Sequence, residues 1–157
     1  MIDFNINNFI SQFGIYAGTY FYCLISGIVP FVNAEIFLVL ISSLVSKPLL
    51  IPILLLATFG QMTSKALIFL SGKGILKLSS HKRYEKKINE TKEKMRKWES
   101  RIDIFVFLSA LTGFPPFYVT TIVMGTVNHN FLRFFIAGFS GRIIRFGILI
   151  LFPQLFR

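Results

Sequence analysis

Gly113-Phe114-Pro115-Pro116 interrupts the apolar second half of the chain, and this break decides the fold. It separates two apolar segments, Ile102–Thr112 and Phe117–Val127, of 11 residues each. An 11-residue helix rises only about 16 Å, half of what is needed to cross a bilayer. Proline lacks an N–H and its ring crowds the preceding helical turn, so the two segments cannot form one straight helix. We predict that they fold back on each other.

The composition indicates a membrane protein. Hydrophobic residues make up 54% of the 157 residues, and the mean hydropathy is +0.65, above the range of soluble domains. Phe9–Val29 has 21 residues and no charge, while Leu49–Leu70 and Phe131–Phe152 have 22 residues each. Such lengths suffice to cross a hydrocarbon core of about 30 Å. The sequence predicts a single all-α integral membrane domain over residues 1–157, with transmembrane helices at 9–29, 49–70 and 131–152.

Two shorter apolar regions are predicted to be re-entrant hairpins, which enter and leave the membrane by the same face. One covers residues 102–127, with Gly113, Pro115 and Pro116 at its tip. The other covers residues 30–46, with its break at Val29-Pro30. Broken backbone at membrane depth persists only where protein or a water-filled cavity surrounds it. We therefore expect the two breaks to face each other inside the molecule.

The basic residues are concentrated in one stretch. The chain has 17 Lys and Arg against 7 acidic residues, and 11 of the 17 lie between Lys73 and Arg101. Because cytoplasmic loops of membrane proteins are rich in Lys and Arg, residues 71–101 are predicted to form a cytoplasmic loop with a basic helix. Whether this helix lies on anionic lipid or is only a solvated linker stays open. Nucleic-acid binding is disfavoured because aromatic residues are scarce there.

The cytoplasmic loop sets the predicted topology. Leu49–Leu70 should run from outside to inside and Phe9–Val29 in the opposite direction, with a cytoplasmic N-terminus. The first hairpin then dips in from outside, the second from the cytoplasm, and the C-terminal tail lies outside. The predicted chain therefore contains two copies of one unit, a hairpin followed by a transmembrane helix, and the two copies have opposite orientations in the membrane. Inverted repeats of this kind form transport sites near the membrane midplane.

Four charged residues within the apolar segments form the predicted transport site. Glu35 is the only acidic residue of the four, and a charge at the bilayer centre costs about 2.5–3.5 kcal/mol on insertion scales. It should therefore meet a cation, and the candidates are Lys65, Arg142 and Arg145. Arg142 and Arg145 share a helical face. The sequence leaves open a polar pocket or a purely structural ion pair. Hydrogen bonds would come from Asn33 and from the backbone groups at Pro30 and Pro115 that have no partner within a helix.

Small residues within the predicted long helices indicate close packing. Gly60 and Ser64 share a face of one helix, and Gly138 and Gly141 lie near Arg142 on another; such spacing lets helix backbones approach. Gly72-Lys73-Gly74 is predicted to end the helix that contains Gly60.

No catalytic constellation and no metal site is predicted. There is one cysteine, Cys23, which excludes an internal disulfide and a cysteine-based metal site. His81 and His129 have no partner at metal-ligand spacing. Glu35 is the only carboxylate of the predicted transport site, so a carboxylate dyad is disfavoured. We predict a protein that is not an enzyme and has no cofactor.

Several motifs resemble the DedA / VTT-domain family, also called the SNARE-associated Golgi protein family. Pro30-Phe31-Val32-Asn33-Ala34-Glu35 resembles the family's first hairpin, with proline followed by glutamate. Gly113-Phe114-Pro115-Pro116-Phe117 resembles its second. Ala57-Thr58-Phe59-Gly60-Gln61-Met62, followed by Gly72-Lys73-Gly74, is similar to its glycine-rich helix, and Gly125, Phe131, Gly141-Arg142 and Arg145 match its downstream pattern. The resemblance spans about residues 20–150. Ser109 to Thr121 contains no basic residue, whereas many family members flank the second proline with arginines, and the short chain looks like the compact branch.

The resemblance implies two facing re-entrant hairpins and movement of lipids between leaflets, by scrambling or by proton-coupled recycling of a lipid phosphate. We predict a lipid transporter with membrane lipids, especially anionic head groups, as partners and with Glu35 as the candidate proton carrier. A transporter of small polar solutes or ions and a non-transporting, membrane-organising protein are the alternatives. Coupling and homo-oligomerisation stay open. The predicted location is a bacterial inner membrane.

Overall fold

The computed structural model describes the backbone of residues 6–29, 31–78 and 99–153, and the side chains of residues 14–29, 31–73 and 100–153. Pro30 and residues 79–98, which hold most of the predicted basic cytoplasmic segment, lie outside the described residues. Every regular element in the described ranges is helical. The predicted all-helical class is confirmed.

The described residues form six α-helices. They are α1 (Ile6–Ile28), α2 (Ala34–Leu44), α3 (Leu50–Leu78), α4 (Glu99–Thr112), α5 (Phe117–Thr126) and α6 (Phe131–Leu151), with a 3-10 turn at Lys47–Leu49. Two of the described segments, Lys47–Lys73 and Phe131–Leu151, are long and apolar enough to cross a membrane. α2 has 11 residues and α5 has 10, which is too short to do so.

Residues 31–46 contain one helix and not the two legs of a separate hairpin. No proline or glycine falls within Ala34–Leu44, and Asn33 caps its start by accepting hydrogen bonds from the backbone of Glu35 and Ile36, so the segment forms a single helix. The leg before the first break is the end of α1. The prediction of a self-contained hairpin over residues 30–46 is therefore wrong in its boundaries.

The predicted helix end at Gly72-Lys73-Gly74 is also wrong, because α3 continues to Leu78. Gly113 is the only glycine with a positive φ among the described residues, so Gly72 does not adopt the left-handed conformation of a helix cap. A side chain at Gly72 would meet the backbone of Gly125 at 3.2 Å. This glycine serves the close approach of α3 to α5.

α1 and α3 run parallel. The Tyr20 carbonyl lies against Gly60, and Gly27 lies further along α1 against Ser64, so contacts advance in the same direction on both helices. This contradicts the prediction that Phe9–Val29 and Leu49–Leu70 cross in opposite directions. The physical reason is that the chain reverses twice between them, once at the break before α2 and once at the 3-10 turn.

A second pair of parallel helices lies among the last three described helices. Asp103, near the start of α4, pairs with Arg133 near the start of α6, and Leu111 near the end of α4 accepts a hydrogen bond from Arg145. α4 and α6 are therefore parallel. α6 runs antiparallel to α3, because Phe69 of α3 stacks on Phe134 near the start of α6, whereas Leu54 lies near Gly147 towards its end.

Each short helix packs against a long helix of the other half of the chain. α2 packs against α6, and α5 packs against α3. One apolar cluster accordingly joins Leu38 of α2 to Phe146 and Ile150 of α6. The other joins Phe69 of α3, Phe117 of α5 and Phe134 of α6.

The outside of the helical bundle is apolar. Large hydrophobic side chains are exposed on all six helices, as at Phe21, Leu44, Ile51, Ile104, Val119 and Ile148. Soluble monomers rarely expose contiguous apolar surface on this scale. Together with the two long apolar helices, this surface indicates a membrane protein.

Candidate functional site

A cavity of about 260 Å³ lies where the two chain breaks meet. Residues of both breaks line it, Val32 and Asn33 from the first and Gly113 and Pro116 from the second. The long helices α3 and α6 supply its walls. Its other polar lining residues are Ser26, Glu35, Gln61, Lys65, Tyr118, Arg142 and Arg145.

Glu35 and Arg145 form the closest ion pair in the cavity. Arg145 Nε donates a hydrogen bond to Glu35 Oε1 at 2.7 Å, and its Nη2 lies 2.6 Å from the same oxygen. The pair joins the first turn of α2 to α6. Arg145 also donates from Nη1 to the Leu111 carbonyl at 3.0 Å, so it binds the end of α4 as well.

Arg142 has weaker partners. Its Nη1 lies 4.0 Å from Glu35 Oε1, the oxygen that Arg145 already holds. The guanidinium lies over the rings of Phe117 and Phe146, with distances of 5.1 and 5.7 Å to their centroids. Arg142 is only 8% exposed, and its Nε has no hydrogen-bond partner among the described residues. A buried donor without an acceptor is costly, so this side chain is suited to receive an anionic ligand.

Lys65 completes the set of cations. Its Nζ donates a hydrogen bond to the Gly27 carbonyl at 2.6 Å and lies 5.1 Å from the centre of the Tyr118 ring. Gly27 is in the last turn of α1, and Leu111 is in the last turn of α4. Helix C-termini carry partial negative charge. Lys65 therefore places a cation at the end of α1, and Arg145 places one at the end of α4.

The cavity has an excess of positive charge. Three cationic side chains, Lys65, Arg142 and Arg145, face one carboxylate, Glu35. The formal charge is therefore 3 − 1 = +2. In a partly enclosed site this charge attracts anions more strongly than it would in water.

The second break is shaped by several of the predicted residues. Gly113 has φ +78°, and a side chain there would meet Arg145 Nη1 at 2.7 Å. The Phe114–Pro115 peptide bond is cis, and the Pro115 carbonyl accepts a hydrogen bond from Ser109 Oγ at 2.7 Å. Pro116 precedes α5 without a side-chain cap, so the start of α5 presents free backbone N–H groups beside the cavity.

The four predicted packing residues lie at close helix contacts. Gly60 meets the Tyr20 carbonyl, Ser64 meets Gly27, and Gly138 faces Phe117 and Met62. Gly141 lies under the Phe107 carbonyl, which a side chain at that position would meet at 2.6 Å. These contacts bring α1 to α3 and α4 to α6, and so position the ends of both broken helices at the cavity.

Sequence reasoning missed three polar lining residues, Ser26, Gln61 and Tyr118. Gln61 lies four positions before Lys65, and that helical spacing was the signal that could have found it. Ser26 and Tyr118 reach the cavity only through the tertiary fold. His129 also has a partner that the sequence did not suggest, because its Nε2 lies 2.9 Å from Asp103 Oδ1.

These features define a helical membrane protein with a buried, cation-rich site between two interrupted helices. The VTT domain family matches residues 29–155, and the chain belongs to this family, the DedA / SNARE-associated family of membrane proteins. Comparison with curated proteins and with solved structures gave no match.

Proposed function

We propose that this VTT-domain protein is a membrane transporter that moves lipids between leaflets and binds their anionic head groups in the central cavity. One observation carries the proposal. Three buried or half-buried cations face a single carboxylate at the place where both helix breaks meet. A purely structural ion pair would need one cation, and it would not leave Arg142 Nε without a partner.

The directions of the helices support an inverted repeat. α1 and α3 are parallel, as are α4 and α6, while α3 and α6 are antiparallel. The first three helices and the last three thus have the same arrangement in opposite orientations. If α3 and α6 span the bilayer, both breaks lie partway across it, and the helices around each break form a re-entrant hairpin. Such breaks at membrane depth commonly form transport sites.

The orientation in the membrane is inferred from the basic segment. With residues 71–101 in the cytoplasm, α3 runs inwards and α6 outwards. Because α1 is parallel to α3, it enters from the outer side, which replaces the predicted cytoplasmic N-terminus. The first hairpin then opens outwards and the second inwards.

A lipid phosphate has the chemistry that the cavity offers to bind. Guanidinium groups bind phosphate oxygens through paired N–H donors, and Lys65 and the free N–H groups of α5 add further positive potential. Glu35 holds Arg145 while the site is empty, and the ligand would compete with it. If the movement is proton-coupled, protonation of Glu35 would release Arg145 to the phosphate.

The experiment measures lipid movement in liposomes that contain the purified protein. A reductant that cannot cross the membrane is added outside the liposomes and destroys the fluorophore of a labelled phospholipid in the outer leaflet. The fraction of fluorescence that survives reports how much lipid exchanges between the leaflets. Arg142→Gln should slow exchange at least about tenfold, the effect of roughly 1.4 kcal/mol on a barrier. Arg133→Gln is the matched control, because Arg133 is on the same helix and does not line the cavity. If Arg142→Gln exchanged lipid as fast as Arg133→Gln, the proposal would be contradicted.

A transporter of small anions would use the same cations. It would show uptake of a soluble anion such as phosphate that depends on Arg142, without any exchange of the fluorescent lipid. That outcome would replace lipid transport as the function of this site.

A further inference from the structure

A second cavity adjoins the charged one and has the opposite character. It has a volume of about 310 Å³ and is lined by Asn33, Glu35, Ile36, Val39, Leu40 and Leu149. Asn33 and Glu35 line both cavities. The other four residues are aliphatic and come from α2 and α6. We call this second cavity the α2–α6 groove.

The α2–α6 groove leads from the charged cavity to the exterior of the bundle. Glu35 is in the first turn of α2, and Val39 lies one turn further along the same helix face. Ile36 and Leu40 border the groove and are 60% and 59% exposed. The groove therefore begins at the ion pair and ends on the apolar surface that faces lipid in a membrane protein.

We propose that the α2–α6 groove holds the hydrocarbon chain of an amphiphile whose phosphate occupies the charged cavity. The proposal rests on the proposed function and specifies how its substrate is bound: head group inwards at Arg142 and Arg145, chain outwards between α2 and α6. Continuity supports this occupant, because the two cavities share Asn33 and Glu35. A soluble anion would leave the aliphatic groove unused.

The arrangement also implies a direction of entry. A lipid that slides in sideways along the groove keeps its chain in an apolar environment throughout, so only the head group has to leave water. Exposure of the chain to water would cost about 0.8 kcal/mol for each methylene. Val39 and Leu149 are the half-buried residues that a chain would contact on its way.

The first test locates the chain directly. The unmodified protein in nanodiscs receives phosphatidic acid with a photoreactive diazirine in one acyl chain, and peptides are mapped by mass spectrometry after illumination. Adducts should concentrate on residues 36–40 and around Leu149, and should decrease when unlabelled phosphatidic acid competes. Adducts spread evenly over exposed residues such as Leu132 and Ile104, without competition, would overturn the proposal.

The second test blocks the groove. Leu149→Trp should slow exchange of the fluorescent phospholipid about tenfold, while Ile148→Trp should not, because Ile148 is the neighbouring, more exposed residue and does not line the groove. Thermal unfolding of both variants checks that they fold. If Arg142→Gln stops lipid exchange but Leu149→Trp does not slow it, the groove is not the chain site and the proposed function stands. If Arg142→Gln leaves exchange unchanged, the proposed function itself fails.

Discussion

Arg145 holds Glu35 across 110 positions of sequence, with Nε and Nη2 at 2.7 and 2.6 Å from the same carboxylate oxygen. This pair connects α2, from the first three helices, to α6 of the last three. Because both side chains are half-buried, breaking the pair by removing one partner leaves the other less well compensated.

A double-mutant cycle should detect this coupling. We expect Glu35→Gln and Arg145→Gln to destabilise the protein singly, and the double variant to be more stable than the sum predicts by about 1–2 kcal/mol. Chemical unfolding in detergent micelles gives the four free energies of unfolding. The cycle of Glu35→Gln with Arg133→Gln is the control and should be additive. Additivity of the Glu35 and Arg145 effects would show that the pair contributes no coupling.

Gly60 should be required for the contact of α1 with α3. A methyl group at this position would collide with the Tyr20 carbonyl, and relieving such a backbone clash costs about 1–3 kcal/mol. Gly60→Ala should therefore lower the unfolding temperature. Gly18→Ala is the matched control, because a methyl group there meets nothing within 4 Å and alanine favours helix. A drop of the same size in both variants would refute this account.

Asn128 should tolerate glycine better than alanine. Its φ is +56°, in the left-handed region that costs a residue with a Cβ about 1–2 kcal/mol, although asparagine tolerates it better than most. Asn128→Ala should lower the free energy of unfolding by about 1 kcal/mol, whereas Asn128→Gly should leave it nearly unchanged. If glycine were the more harmful replacement, the side chain of Asn128 and not its backbone would be what matters.

Lys65 should matter for transport more than Lys73, although both belong to α3. Lys65 lines the charged cavity and binds the Gly27 carbonyl, whereas Lys73 lies over the Phe69 ring outside the cavity. We expect Lys65→Met to reduce lipid exchange in liposomes about tenfold or more. Lys73→Met should retain the exchange rate of the unmodified protein. Full exchange by Lys65→Met would remove this lysine from the mechanism.

Much of the architecture could be predicted from the position of helix breakers. The Gly113-Phe114-Pro115-Pro116 break and the start of α6 at Phe131 follow from local chemistry, because proline cannot continue a helix and Asn130 can cap one. The helices on either side of this break, Glu99–Thr112 and Phe117–Thr126, accordingly match the predicted apolar segments closely. Glu35, Lys65, Arg142 and Arg145 were singled out because charge is costly in apolar helices, and the structure brings all four to one cavity.

The direction of α1 could not be predicted from local signals. The sequence around Val29 is compatible with two arrangements. Residues 30–46 could form a hairpin by themselves, or α2 could form a hairpin together with α1. The difference lies in which surfaces pack, and Leu38 of α2 is buried mainly by residues far away in sequence. Gly72 was misread for a similar reason, since a glycine that ends a helix and one that admits a neighbouring backbone look alike.

The exchange of short helices between the two halves has a consequence for how the molecule is assembled. α2 packs against α6 and α5 packs against α3. Each half therefore contributes apolar residues to the core of the other, and the first half supplies the carboxylate that pairs with the arginines of the second. Residues 6–78 alone would leave Glu35 with neither arginine and Leu38 uncovered. A gene divided within residues 79–98 should therefore yield two fragments that are degraded when made separately and rescue each other when made together.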